Sequence, residues 1–208
     1  MQFRSVLLAL FVVVAAGPAL AAPAGAQVGP SELTRPSHGQ EGESEACTFP
    51  YTVEDATPER VGGPQEVTVE EEPQEVVILA PNVAQHMWEI GAEQKVIGMP
   101  VNNNTAYLPG SENRTHILQE GDRGFDVPSS ERIVELQPDL VLSPNVTAPG
   151  DIETLRSSGQ TVFHYPLAEN FQDVMSLVER TGQLVGDCES AREVTDAAVA
   201  EIDEQDPG

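Results

Sequence analysis

The chain reads as an α/β protein built on a mostly parallel sheet, and three features of its 208 residues carry that reading. Four times a short aliphatic run stops at a proline: residues 76–80 before Pro81, 96–99 before Pro100, 140–143 before Pro144, and 161–165 before Pro166. Helical patterns lie between the runs, and β-rich segments alternating with helices make βαβ units, hence parallel strands. Because each run ends the same way, the four prolines should share one sheet edge, the edge at which open α/β sheets hold ligands.

In chain order, residues 48–53 and 66–69 alternate around a Pro- and Gly-containing loop, which predicts an N-terminal β-hairpin. Glu70, Glu71 and Glu72 read as a solvated turn, since nothing brings them into the convergent geometry of a metal site. The α/β unit opens at Val76, with Asn82 placed to cap a helix that runs to Ile90 and stops at Gly91. Met87 and Trp88 on that helix should face the sheet.

Ser129 caps a helix over residues 130–136, which Gln137-Pro138-Asp139 ends abruptly. A short helix near residues 151–156 follows, and Ser158-Gly159 returns the chain to a strand. Asn170, three residues before Asp173, opens a longer helix; Phe171, Val174, Met175, Val178 and Leu184 recur at helical spacing, and Gly186 closes it. Residues 189–203 carry Ala191, Val194, Ala198 and Ile202 on one stripe. An amphipathic helix of this kind needs a surface to pack on, within the domain or beyond this chain.

The start of the chain sets the compartment. Arg4, an apolar run over residues 6–16, and small residues ending in Ala19-Leu20-Ala21 and Ala24-Gly25-Ala26 have the order of a secretory signal, assigned to residues 1–26. The apolar run is too short to span a bilayer comfortably. Neither a twin-arginine pair nor a cysteine near the cleavage site is present, so export by the general route is expected, without an N-terminal lipid anchor. The protein should work secreted or at the cell surface, outside the cytoplasmic membrane. Residues 27–46, rich in Gly, Pro, Ser and Glu, have too little apolar surface to order themselves and read as a flexible spacer. Residues 47–208 suffice for one compact domain.

Asp and Glu number 34 against 10 Lys and Arg, with Lys95 the one lysine, for a net charge of −24. Such a field repels nucleic acid and anionic membranes, so neither is expected as a partner. It also opposes compaction unless salt screens it, as in proteins of extremely halophilic organisms; an acidic secreted protein of no special habitat is the alternative.

Enzymatic chemistry finds no support. A dinucleotide fold needs glycines after its first strand, where this chain has Ala80-Pro81-Asn82-Val83. A serine nucleophile elbow and a cysteine–histidine pair of useful spacing are both lacking. No cofactor is called for. His86, His116 and His164 lack helical ligand spacing and read as separate histidines, so no metal site is assigned, although a metal-binding role or a cell-surface interaction role stays open. In an exported protein Cys47 and Cys188 are expected to form a disulfide tying the hairpin to the far end of the domain. Asn103, Asn113 and Asn145 each begin an Asn-X-Thr glycosylation sequon.

The stretches PQEVVILAPNVAQHMWEIGAEQKVIGMPV, SSERIVELQPDLVLSPN and IETLRSSGQTVFHYPLAENFQDVMSLVERTGQLVG resemble the N-terminal lobe of ABC-transporter solute-binding proteins of the iron-siderophore and vitamin B12 class. ERIVELQPDLVL, a helix, Pro-Asp turn and strand, is the most specific element. The resemblance implies a three-layer Rossmann-like lobe over residues 47–186, with residues 187–208 starting a long interlobe helix and the C-terminal lobe lying outside this sequence. It implies an ABC-transporter permease as partner and a small-molecule metal chelate or corrinoid as ligand, bound weakly by a single lobe.

On this resemblance the ligand meets Pro81, Asn82, Tyr107, Arg123, Phe125, Asn145 and Tyr165, in the loops after the strands. Tyr107 and Phe125 either stack on a flat ligand or cover their own loops. Arg123 pairs with an anionic ligand or with Asp122 and Asp126 at the surface. Asn145 meets the ligand or caps the segment after it. Glu131 in SSERIVEL matches the acid with which this class docks onto permease arginines; the alternative is an acid that complements the helix dipole.

Overall fold

The computed structural model describes residues 47–121 and 124–205, with side chains to residue 202. The signal over residues 1–26, the spacer over residues 27–46 and Arg123 lie outside the described residues. A hairpin of β1 (Tyr51–Glu54) and β2 (Glu66–Val69) leads into β3 (Val76–Ile78), α1 (Pro81–Glu89) and β4 (Val96–Met99). The chain continues through β5 (Thr115–His116), β6 (Leu118–Glu120), β7 (Asp126–Pro128) and α2 (Ser130–Leu136). It ends with β8 (Leu140–Ser143), α3 (Pro149–Ser157), β9 (Val162–His164), α4 (Phe171–Val185) and α5 (Cys188–Gln205). No helix among the described residues is long and apolar enough to cross a membrane.

Five strands form one sheet in the order β5-β4-β3-β8-β9, and every pairing in it is parallel. The expected α/β architecture is therefore present, with all five carboxyl ends on one edge. The order reverses at β3, because the chain first builds outward to β4 and β5 and then returns to place β8 on the other side.

The period of two in the strands sorts the core into two halves. Val76, Ile78, Leu140, Leu142 and Phe163 pack with Met87 of α1 and Val178 and Leu184 of α4. Their neighbours Val77, Val141 and Val162 face the other way and pack with Ile133 of α2 and Ile152 and Leu155 of α3. Three layers result. Each fully buried Ile or Leu contributes about 1.5–3 kcal/mol by leaving water.

Local chemistry explains the helix ends. The Ser129 hydroxyl accepts from the Arg132 N–H at 3.5 Å, and Gln137 closes α2 in the left-handed region at φ 52°. Asn170 caps α4 by accepting from the Asp173 N–H at 3.0 Å, while the Asp173 carboxylate accepts from the Glu169 N–H at 2.8 Å. Asn82 is not the cap of α1: Ala80 stands there without a side-chain bond and Pro81 is the first helical residue. A proline at that position has its φ preset and lacks an N–H that would have gone unpaired, so no side-chain acceptor is required.

The C-terminal stripe finds its surface on α4. A Cβ built on Gly182 would lie 2.4 Å from the Ala191 Cβ and 2.9 Å from the Asp187 carbonyl oxygen, so only glycine permits this approach of α4 and α5. Lys95 reaches the same corner, where its Nζ meets the Val185 carbonyl, Glu72 at 2.7 Å and Asp187 at 3.2 Å. A cation there also complements the C-terminal dipole of α4. Glu72 is thus an ion-pair partner, while Glu70 and Glu71 are exposed. Cys47 and Cys188 are joined as a disulfide, with Cα atoms 5.6 Å apart.

Candidate functional site

At the carboxyl edge, Pro81, Pro100 and Pro144 occupy the exits of β3, β4 and β8, and Pro166 that of β9. Helices α1, α3 and α4 begin just beyond β3, β8 and β9, which directs the positive ends of their dipoles to this rim. Between β3 and β8, at the reversal of strand order, the edge opens into a hollow of about 130 Å³. Asn82, Val83 and His86 of α1 line one side, Pro144 and Asn145 another, and Tyr165, Leu167 and Leu177 complete it. A drug-sized ligand typically fills some 300–1,000 Å³, so this hollow holds one part of such a molecule.

Apolar side chains stand exposed on the loops around it. Tyr107 after β4 is 60% exposed, Phe125 between β6 and β7 is 76%, Val146 after β8 is 77%, and Leu167 after β9 is 61%. Of these, Leu167 lines the hollow itself.

The loop carrying Tyr107 is rigidly held. The Thr105 hydroxyl donates to the Pro100 carbonyl at 2.8 Å and Ser111 donates to the Thr105 carbonyl at 2.9 Å. Trp88 donates from Nε1 to the Pro109 carbonyl at 2.9 Å, and the Arg114 guanidinium lies 5.8 Å from its ring centre. Trp88 therefore packs against the core as expected and also fixes the rim, whereas Met87 is fully buried.

Tyr165 lines the floor of the hollow, but only 2% of it is exposed and its hydroxyl lies 2.9 Å from the Thr181 Oγ1. Its ring meets that of Phe163 edge-on, with centres 4.9 Å apart, so it shapes the wall and offers no free face for stacking. Asn145 is half-buried in the hollow and is not the cap of α3, where Ala148 stands. Asn82 is exposed and Pro81 half-exposed at the opposite lip. Glu131 is exposed in the first turn of α2. Of the sequon asparagines, Asn103 and Asn113 are exposed.

The three histidines part company. His116 is exposed and its Nδ1 accepts from the Val101 N–H at 3.0 Å. His164 is buried beside the Ser143 hydroxyl at 3.2 Å, and His86 is buried against the hollow. Among the described residues no three His, Cys, Asp or Glu are grouped to hold a metal ion. Sequence reading missed His86 as a site residue, although it lies three residues after Val83 and four before Ile90, on the buried stripe of α1.

Burial holds both His86 and His164 below the ordinary histidine range; Glu89 and Asp55 pull them upward without prevailing. Both are neutral in the fold and protonate more readily once unfolded, so the unfolded state gains protons first on acidification. Their contribution to stability is complete above the ordinary value of about 6.5 and is lost as pH falls below it. Thermal melts in high salt from roughly pH 7.5 to pH 5.5 should show Tm falling; a constant Tm would contradict the assignment.

A larger hollow, about 610 Å³, opens at the other edge among Glu70, Glu71, Glu72, Glu75 and Asp139. It lies at the amino ends of the strands, and Asp139 is already committed to the N–H groups of Gln74 and Glu75 at 2.8 and 2.9 Å. Ligands of open α/β sheets sit at the carboxyl edge, which leaves the smaller hollow as the candidate.

The described residues thus form a three-layer α/β fold with a hollow at the carboxyl edge, where the order of strands reverses. The chain belongs to the periplasmic binding protein family, which it matches over residues 76–205. It is 35% identical over 187 residues to a cobalamin-binding protein of Halobacterium salinarum, covering 90% of this chain and 46% of that one. It is 30% identical over 141 residues to the uncharacterized ABC transporter substrate-binding lipoprotein YvrC of Bacillus subtilis, covering 66% of this chain and 40% of that one. The heme binding protein HmuT shares the fold with a TM-score of 0.61 at 19% identity, over 76% of this chain and 47% of HmuT. The chain spans about half the length of the curated relatives it matches. The family is one of binding proteins, in accord with the absence of a catalytic motif in the sequence.

Proposed function

We propose that this lobe is the ligand-receiving wall of an extracellular solute-binding protein that serves an ABC importer of a corrinoid, heme or ferric-siderophore ligand. The observation that carries the reading is the hollow at the strand-order reversal, flanked by the exposed Tyr107, Phe125, Val146 and Leu167. Flat ligand surfaces would lie against those side chains, with Asn82 and Asn145 offering amides at the lip. The 35% identity to a cobalamin-binding protein favours a corrinoid within this class.

Residues 1–26 act as the export signal and residues 27–46 as a spacer, residues 47–186 form the lobe, and residues 187–208 lead toward a second lobe. Glu131, charged and exposed beside the rim, docks onto arginines of the permease and orients the complex more than it strengthens it. Arg123, outside the described residues, is the cation proposed to pair with an anionic group of the ligand. Asn103 and Asn113 accept glycans, while a glycan on Asn145 would crowd the hollow. The net charge of −24 suits a surface that works in concentrated salt.

Calorimetry in molar salt with cyanocobalamin, hemin and a ferric siderophore tests the reading. One of the three should bind with Kd on the order of micromolar, about −8 kcal/mol. Absence of heat with all three, up to millimolar ligand, would refute it.

A further inference from the structure

We propose that the hollow between β3 and β8 is a subsite for one flexible arm of the cargo that ends in a primary carboxamide, and that Nε2 of His86 selects this arm by accepting its N–H. This inference rests on the solute-binding reading above. It narrows the ligand to one whose arms end in neutral amides, and turns away arms that end in carboxylates.

The hollow measures about 130 Å³, the share of about four waters in the liquid. That is room for the few heavy atoms of a short arm and too little for the face of a ring system.

Protons and lone pairs around Thr181 fix the character of His86. The Thr181 hydroxyl has one proton and two acceptor lone pairs. The proton goes to the Leu177 carbonyl at 2.8 Å, so Thr181 Oγ1 accepts from its other neighbours. Those are the Tyr165 hydroxyl at 2.9 Å and Nδ1 of His86 at 3.5 Å. Nδ1 therefore carries the proton, and Nε2 keeps a free lone pair in a ring that burial holds neutral.

Among the described residues Nε2 has no hydrogen-bond partner. The sealed side-chain atoms without a partner are Arg114 Nε, Gln160 Oε1 and Asp187 Oδ2, and Nε2 of His86 is not one of them. It consequently touches accessible space, although only 8% of the residue is exposed, and the hollow is the space that His86 lines. Helical side chains lean toward the helix start, which brings the ring toward the first turn of α1.

That turn supplies the complementary groups. Pro81 opens α1 and Ala80 gives no side-chain cap, so the N–H groups of Asn82 and Val83 have no acceptor among the described residues. Both residues line the hollow, and unpaired N–H groups at a helix start take an oxygen. The site thus offers donors beside an acceptor. A primary carboxamide answers both, its oxygen toward α1 and its NH2 toward Nε2. A carboxylate would satisfy the N–H groups but has only lone pairs to set against Nε2, and two buried acceptors facing one another are both left unsatisfied.

Calorimetry of the full chain in molar salt with cyanocobalamin and its three monocarboxylic acids, each with one propionamide arm hydrolysed, tests the inference. Both axial positions of the cobalt are filled in these probes, so ligation of the metal does not contribute. Cyanocobalamin should bind, and one of the acids should bind about tenfold or more weakly, the other two binding like the parent compound. His86→Leu should weaken cyanocobalamin by about tenfold and abolish the difference between it and that acid. His86→Gln, whose side-chain oxygen accepts, should keep part of the difference, and His116→Ala should keep all of it. Melting curves of the His86 variants separate loss of the acceptor from loss of the fold; where His86→Leu does not fold, the four probes on the unaltered chain decide. Equal affinity for all four, an equal loss with all three acids, discrimination that survives in His86→Leu, or binding of hemin or a ferric siderophore without cyanocobalamin overturns the amide subsite and leaves the solute-binding reading standing. No binding of any of these probes overturns both.

Discussion

Removing the Cys47–Cys188 bridge is expected to lower the unfolding free energy by about 5 kcal/mol. The bridge spans 141 residues of sequence, so it closes nearly the whole described domain into a loop. In the chain-entropy account a loop of that length restricts the unfolded ensemble more than a short one does, with little required of the native state. The native state does supply a site without it. Cys188 is the first residue of α5, just after Asp187, which pairs with Lys95, and Gly182 already admits α5 against α4. The fold should therefore survive reduction as a weaker version of itself. Urea unfolding of the Cys47→Ala/Cys188→Ala protein beside the oxidised parent measures the difference. A change below about 1 kcal/mol would mean that the loop entropy is offset by structure persisting in the unfolded chain.

The parallel sheet is legible because four of its five strands are largely aliphatic and run up to a proline, signals that need no knowledge of packing. The helices were legible from their stripes and from Ser129, Asn170, Gly91 and Gly186 at their ends. What escaped notice was the segment between β4 and α2. Its strands are two or three residues long, and Thr115, His116, Gln119 and Glu120 are exposed, so no alternation of apolar and polar residues records them.

The site was legible as an edge and less so as a set of side chains. The resemblance implies Tyr165 as a ligand contact, and it does line the hollow, but it stands two residues after Phe163 and so turns its ring inward. Strand parity contained the answer. The sequence offers His86 only as one of three separate histidines; its register with Val83 and Ile90 is what places it on the buried stripe of α1. The apolar rim at Tyr107 and Phe125 depended on tertiary exposure, which a single sequence does not record.

Replacing Asp55 by alanine is expected to cost about 3–5 kcal/mol and, at roughly 2–4 °C per kcal/mol for a domain of this size, to lower Tm by about 6–20 °C. The Asp55 side chain is wholly buried and pairs with Arg156, whose side chain is 18% exposed. It also accepts from the Thr57 hydroxyl at 2.7 Å, the Gln65 N–H at 2.9 Å and the Thr57 N–H at 3.1 Å. Arg156 in turn reaches the Val162 carbonyl at 2.9 Å, so one ion pair ties the β1–β2 connection to α3 and β9. Truncation strands a guanidinium and two N–H groups at once, and stranding a buried charge costs more than the pair itself contributes. Burial alone would raise the Asp55 pKa, yet its hydrogen bonds to Gln65, Thr57 and Arg156 together hold it below the usual carboxylate range. The unfolded chain then takes up the proton first, so the stabilisation is complete above the ordinary value of about 3.9 and disappears as pH falls below it. Asp55→Asn, which keeps the volume but not the charge, should accordingly lose stability at neutral pH and show a shallower acid limb than the parent. An Asp55→Ala protein that melts within about 2 °C of the parent would show that Arg156 finds water or another acceptor, and that the tie is dispensable.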